Sequence, residues 1–309
     1  MFTHLQVHTH YSLLEAIWSP KAYIEQAKSL GINALACTDY GGMYGAIEFY
    51  QAAKKAGIKP LLWVELWYVP DMHRQDPQES AWMILLLARS YQGYEQLMQL
   101  ISAAHLTWFH KIPRIDHACL MQHATDLIAI VGGDRSWLGK QLLQWGNQKQ
   151  LLDQRIQLTT SLGKDNCFVS RIVQEKSEGQ LHACNRAISE FSLLHQIPLL
   201  VTGDVHYIDA KDQQTFETAL AIKDGKRIYD TDRRLATRQM HLQTEEEIMT
   251  WLQQTCTDEQ ITSMIQTTQE VADRIDIHIP MDKILFPIYE SPENIQTAFT
   301  QRKEQIVIQ

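Results

Sequence analysis

The chain has 309 residues, 45% hydrophobic and 21% charged, a globular balance with room for one large domain or two small ones. Its formal net charge of -8 excludes a chain that is as a whole an electrostatic magnet for nucleic acid, so a DNA contact requires a local patch or an attached domain. Five cysteines, odd in count and without CxxC spacing, exclude a disulfide framework or a zinc ribbon and point to a reducing, cytoplasmic setting.

Residues 5–9 read as a strand that runs into His8-Thr-His10. In a strand, residues i and i+2 share a face, so two imidazoles can address one metal ion, with Glu15 following where the strand gives way to a loop. No basic segment followed by an apolar one precedes it, so no signal peptide is expected. Ser19-Pro20 is an N-cap and first-turn pair that opens a helix ending at Gly31. Residues 34–39 form a short buried-type strand ending in Asp39, whose carboxylate is expected to cap the following backbone. A helix over 45–56 closes at Gly57, and a strand over 61–68 carries Glu65 amid Trp63, Val64 and Leu66. A carboxylate there is costly to bury without a partner, which favours a functional or paired role.

A strand over 83–88 precedes a helix over 91–105, and a strand over 127–131 ends in Gly132-Gly133. The apolar run around 82–88 is far too short to span a bilayer, and no membrane partner is expected. Residues 137–152 read as helix, 167–173 as strand, 179–195 as helix and 198–202 as strand, the last ending in Asp204-Val-His206. This strand and helix alternation with short connections predicts a parallel sheet, open or closed, with ligand-type residues at strand ends. Helices are expected over 216–222, 244–252 and 261–275, and an extended, proline-containing stretch from 279.

Two histidines and two carboxylates suit zinc, manganese or iron, and phosphoester hydrolysis is the natural chemistry for such a group. No nucleophile elbow, dinucleotide loop or Walker loop competes with this reading.

Four segments occur in order: 7–16 (Val-His-Thr-His-Tyr-Ser-Leu-Leu-Glu-Ala), 34–50, 57–65 (Gly-Ile-Lys-Pro-Leu-Leu-Trp-Val-Glu) and 201–207 (Val-Thr-Gly-Asp-Val-His-Tyr). Together with 86–102 and 220–228 they resemble the PHP (polymerase and histidinol phosphatase) domain of bacterial DNA polymerase III alpha subunits, over roughly residues 1–290. The resemblance implies a distorted (β/α)7 barrel of the PHP type, in the α/β class, with a C-terminal helical extension. It divides the chain into a barrel core at 1–212, a helical remainder at 213–278, and an extended linker at 279–309 leading toward a polymerase module that this chain lacks.

The family holds up to three metals at the C-terminal face of the barrel. Carried over residue by residue, His8, His10, Glu65 and Asp204 match one metal's ligands, and Glu15 and His206 are remnants of a second set. Tyr40 and Met83 stand where the family has histidine, Gly133 where it has cysteine, and Arg171 where glutamate is common. The resemblance thus implies at most one divalent metal (zinc, manganese or iron), with magnesium expected only for the polymerase module. It implies a replicative role, mainly structural support and subunit contact, without nucleotidyltransferase activity in this chain. The expected partners are DNA through the full polymerase, the proofreading exonuclease subunit and other replicase subunits. A metal-dependent phosphoesterase or 3′–5′ exonuclease acting on phosphate esters is the alternative.

Overall fold

The computed structural model describes residues 2–73, 81–107, 109, 111–143, 158–176 and 178–282. Residues 1–277 form one compact unit, and a second unit begins at 278, of which only residues 278–282, outside any helix or strand, are described. The expected linker from 283 onward and the second half of the expected helix over 137–152 lie outside the described residues.

Helices α1 (Pro20–Ser29) and α2 (Ala46–Ala56) flank strand β1 (Ala34–Cys37). Ser19 accepts the Ala22 amide to start α1, and Gly57, at φ +76, closes α2 in the left-handed conformation. Next come β2 (Lys59–Tyr68), β3 (Trp82–Ala88), α3 (Tyr91–Leu106), β4 (Arg114–Ile115) and α4 (His117–Gln122). They are followed by β5 (Leu127–Gly132), α5 (Trp137–Leu143), β6 (Cys167–Ile172), α6 (Gly179–His195) and β7 (Leu199–Thr202). Three helices complete the unit: α7 (Gln213–Lys223), α8 (Glu245–Leu252) and α9 (Asp258–Asp273).

The sheet runs β1-β2-β3-β5-β6-β7, with β4 added beside β2. It curls without closing into a regular ladder. The N-terminal segment lies between its ends, bonded to β1 through the His4–Leu35 bridge and to the stretch after β7 through the Val7–Val205 bridge. This is the distorted barrel with helical extension that the resemblance implies. The expected strand at 5–9 is therefore an extended segment held by isolated bridges. Residues 2–9 are buried throughout.

The all-parallel expectation fails at β3, which pairs antiparallel with both β2 and β5. Its first residue, Trp82, sits opposite Tyr68, the last of β2. An antiparallel pair needs no helical crossover, so the chain can return directly. The reversal brings the start of β3, with Met83, to the same end as the C-terminal ends of its neighbours.

Trp63, Leu61, Leu62, Leu66, Ile84, Leu86 and Leu87 are fully buried in this sheet. At roughly 1.5–3 kcal/mol each, such side chains carry the barrel. The helices α8 and α9 cover the far edge: Ile248, Leu252, Ile261, Met264 and Ile265 pack against Phe2, Val173 and Val201. Near the strand ends, α7 lays Phe216 and Leu220 on Tyr207 and Met240. That contact pins the loop between α7 and α8, because His206 N donates to Met240 O at 2.8 Å and Met240 N to Tyr207 Oη at 2.9 Å.

Gly133 adopts φ +70, and a Cβ there would run into Ile172 Cδ1. Rebuilding a thiolate at this position is thus opposed by backbone and packing together. Gly133→Cys is expected to destabilise the fold by about 3 kcal/mol through left-handed strain plus overpacking, with no gain in metal stoichiometry. Thermal melts and elemental analysis check both parts.

Candidate metal centre

The centre forms where the N-terminal segment, β2 and the turn after β7 meet. His8 Nε2 lies 3.2 Å from Asp204 Oδ1 and 3.3 Å from Glu65 Oε2. His206 Nε2 lies 3.1 Å from the same Asp204 oxygen. One ligand atom from each of His8, Asp204 and His206 falls within 4.8 Å of the others, and all three residues are buried. Glu65, on β2, also accepts from Gln6 Nε2 at 3.0 Å. Asp204 sits at φ +47, a conformation that aspartate tolerates better than most residues, and it turns its carboxylate back toward both imidazoles.

The other expected ligands are placed differently. The extended segment ends at Thr9, so His10 stands in an exposed turn against Tyr11 and outside this group. The i and i+2 alternation stops one residue too early to bring it in. Glu15 is buried but directs its carboxylate to Lys223 Nζ at 2.9 Å and Arg234 Nη1 at 3.2 Å. Its backbone carbonyl accepts from His206 Nδ1. Asp39 accepts from Thr9 N and Ser12 Oγ at 2.7 Å and from Thr9 Oγ1 at 2.8 Å, and so caps the turn. Met83 lines a small cavity with Glu65, Leu85, Ile130, Gly132 and Ser170. Arg171 is turned out of the barrel, toward Ser189, Thr255 and Cys256.

Tyr40 stacks on His8 with ring centroids 4.2 Å apart and 19° between planes. Arg135 in turn lies over Tyr40 at 5.0 Å and donates from Nη1 to its phenol oxygen at 2.7 Å. Arg238 bonds Asp204 Oδ2, the oxygen that the histidines leave free.

Burial disfavours a charged His8, yet its hydrogen bonds to Asp204 and Glu65 outweigh burial and raise its pKa to about 9. Burial also opposes charge on Glu15, but Lys223, Arg135 and Arg234 bring its pKa down to about 2. Asp204 is held well below the usual carboxylate range against its burial by His206, Arg238 and His8. His206 is lowered, chiefly by burial.

His206 Nδ1 donates to the Glu15 carbonyl, which fixes the ring and aims Nε2 at Asp204 Oδ1. The donor set of two imidazoles and carboxylate oxygens suits one divalent ion. A second group, Asp71, His73 and Asp116, also brings three ligand atoms within 4.8 Å. There Asp116 Oδ1 caps α4 through Cys119 N at 2.9 Å, and Asp71 Oδ1 accepts from His73 N at 2.9 Å.

Sequence reasoning missed Arg135, Lys223, Arg234 and Arg238. A signal for the last three was present, since six of the sixteen residues from Lys223 to Arg238 are basic in an acidic chain.

With the curled sheet and its outer helices described, the family comparison is direct: residues 4–170 match the PHP domain model. The chain belongs to the PHP domain family. Among curated relatives it is 30% identical to the DNA polymerase III subunit alpha of Treponema pallidum over 302 residues, covering 96% of this chain and 25% of that protein. It is 29% identical to the Thermus aquaticus subunit, covering 94% of this chain and 24% of that one. The chain thus spans about a quarter of the length of these relatives. Among solved structures, an amidohydrolase from Chromobacterium violaceum with bound sulfate and no metal aligns at TM-score 0.39 and 16% identity, over 67% of this chain and 88% of that one. A two-domain Bacteroides vulgatus protein containing a predicted PHP-like metal-dependent phosphoesterase aligns at TM-score 0.43 and 11% identity, over 74% and 56%. Among the described residues, no helix is long and apolar enough to cross a membrane.

Proposed function

We propose that this PHP domain is a one-ion phosphoesterase centre acting on a phosphate ester, with a nucleotide 3′ end as the substrate class closest to its polymerase relatives. The observation that carries this reading is the buried His8–Asp204–His206 group, with Glu65 beside it, Arg238 on Asp204 and Arg135 on Tyr40. His8, Asp204, His206 and Glu65 would hold the ion. When bound, a divalent ion polarises a phosphoryl oxygen and lowers the pKa of a coordinated water.

The protein's own residues supply recognition. The Arg135 guanidinium is exposed at the mouth and permanently charged, so it suits the anionic oxygens of a phosphate. Tyr40 accepts from Arg135, and burial keeps its phenol protonated by raising its pKa well above the ordinary value. Its own hydrogen is then available to donate to a second phosphate oxygen.

The test is hydrolysis of a chromogenic phosphomonoester and of a 3′-labelled single strand, with Mn²⁺ or Zn²⁺ added to protein cleared of contaminating nucleases. His206→Ala is expected to cost at least about a hundredfold in kcat, and EDTA to abolish turnover. Arg135→Ala is expected to raise KM about tenfold with a smaller change in kcat, as loss of substrate binding requires. Activity that persists in His206→Ala would refute the reading.

A second reading, support of a polymerase module and contact with a proofreading exonuclease or other replicase subunits, is favoured by Tyr40, Met83 and Gly133. These replace imidazole and thiolate ligands, and a metal that depends on them is lost. In that reading DNA and magnesium belong to the polymerase module. One bound ion per chain with no hydrolysis of either substrate would select it.

A further inference from the structure

Two buried carboxylates at the centre's edge and heart, Glu15 and Asp204, already face lysine or arginine supplied by the protein. Lys223 and Arg234 both bond Glu15 Oε1, and Arg234 is steadied from its other side by Asp224 at 2.9 Å. Arg238 bonds Asp204 Oδ2 and is 9% exposed. Glu65 faces His8 and Gln6. Lys223 ends α7, and Arg234 and Arg238 come from the loop that Tyr207 and Met240 pin beneath it. The three basic groups are therefore delivered by one anchored segment. An ion cluster that loses its ions leaves buried carboxylates without counter-charge, which is prohibitive unless positive charge replaces them. A guanidinium cannot lose its proton at any working pH, so it is a permanent replacement.

We propose that Lys223, Arg234 and Arg238 supply the positive charge that further ions supply in a fuller cluster, so that the centre is charge-balanced and folded with no ion bound, and that Arg238 holds down the affinity of the single remaining ion position. Two effects oppose each other at Arg238. It orients Asp204, which favours the ion, and it places a like charge against the ion through a shared carboxylate. Orientation does not depend on Arg238 alone, because Oδ1 is also held by His8 and His206. Like-charge repulsion across a few ångströms in a buried site amounts to several kcal/mol even at a high effective dielectric, so charge outweighs orientation.

The inference rests on the one-ion reading only for the affinity part, and none of its readouts uses hydrolysis. The full chain is melted with and without EDTA and titrated calorimetrically with Mn²⁺ and with Zn²⁺, alongside Arg238→Gln and Arg238→Lys. The wild-type melting temperature is expected to stay within about 2 °C in chelator, since ligand that is not needed for folding contributes only by mass action. Arg238→Gln is expected to melt about 5–10 °C lower in chelator, to regain part of that with Mn²⁺, and to bind Mn²⁺ about tenfold tighter than wild type. Arg238→Lys keeps the charge and is expected to bind Mn²⁺ within about threefold of wild type.

Unfolding of the wild type by chelator would overturn the charge-balance inference. Weaker Mn²⁺ binding by Arg238→Gln, or no binding by either protein, would overturn the affinity part. If Arg238→Gln does not fold even with Mn²⁺, Arg238→Lys decides: a melting temperature more than about 5 °C below wild type would mean that the guanidinium's shape matters rather than its charge, and the inference fails.

Discussion

Asp204→Asn is expected to lower the unfolding free energy by about 3–5 kcal/mol at pH 7 in chelator, the range for breaking a buried ion pair from one side. Asp204 is the anion shared by His8, His206 and Arg238, and all four residues are buried. Removing its charge takes away the carboxylate that Arg238 bonds and leaves His8 with Glu65 as its only carboxylate partner among the described residues. Asparagine is the informative replacement because it keeps nearly the same volume and also tolerates φ +47, so backbone strain does not enter. Chemical denaturation with an unchanged slope, giving a midpoint that falls in proportion, is the measurement. A loss under about 1 kcal/mol would mean that the charges around Asp204 are screened by water and that the centre is not the tight electrostatic unit described.

Acidification from pH 6.5 to 2 is expected to remove about 6 kcal/mol, comparable with the whole stability of an ordinary domain. His4 contributes the upper half. It is fully enclosed, its Nε2 lies 2.8 Å from the Gln243 carbonyl, and burial, the largest influence, pulls its pKa from 6.5 to about 4. The unfolded chain therefore takes up the proton first. The His4 contribution is complete above pH 6.5 and declines by about 3 kcal/mol as pH falls through 4. Glu15 contributes the lower half. Its folded pKa of about 2 against 4.5 unfolded means stability complete above 4.5 and lost toward 2, again by about 3 kcal/mol. Stability measured by denaturant titration at half-unit pH steps should show both limbs. His4→Gln should make the limb between pH 6.5 and 4 shallower by the His4 share, leaving what His206 contributes there, and leave the lower limb unchanged. A wild-type curve that is flat between 6.5 and 4 would show that His4 is hydrated in the folded protein.

Local signals were legible wherever the physics is local. Ser19-Pro20 and Gly57 mark helix ends because capping is decided within four residues. His8, Asp204 and His206 stood out because two strand ends far apart in the chain carry ligand-type residues at i and i+2, and the structure brings their side chains together. The His8-x-His10 pattern misled on His10 because two-residue alternation holds only as long as the strand does, and the segment turns after Thr9.

The antiparallel course of β3 was not legible, since an apolar run has no direction written in it. The cationic side of the centre was hidden for a different reason. Arg234 meets Glu15 across 219 positions and Arg238 meets Asp204 across 34, and charge on a loop has no period from which a partner can be read. By itself the sequence determined the family and most of the order of elements, though not β4 and α4, and it pointed to His8, Asp204 and His206 as candidates. The tertiary structure alone decided which cations face them, because a loop anchored on Tyr207 and Met240 by packing, and not by any local preference, carries Arg234 and Arg238 to the mouth of the barrel.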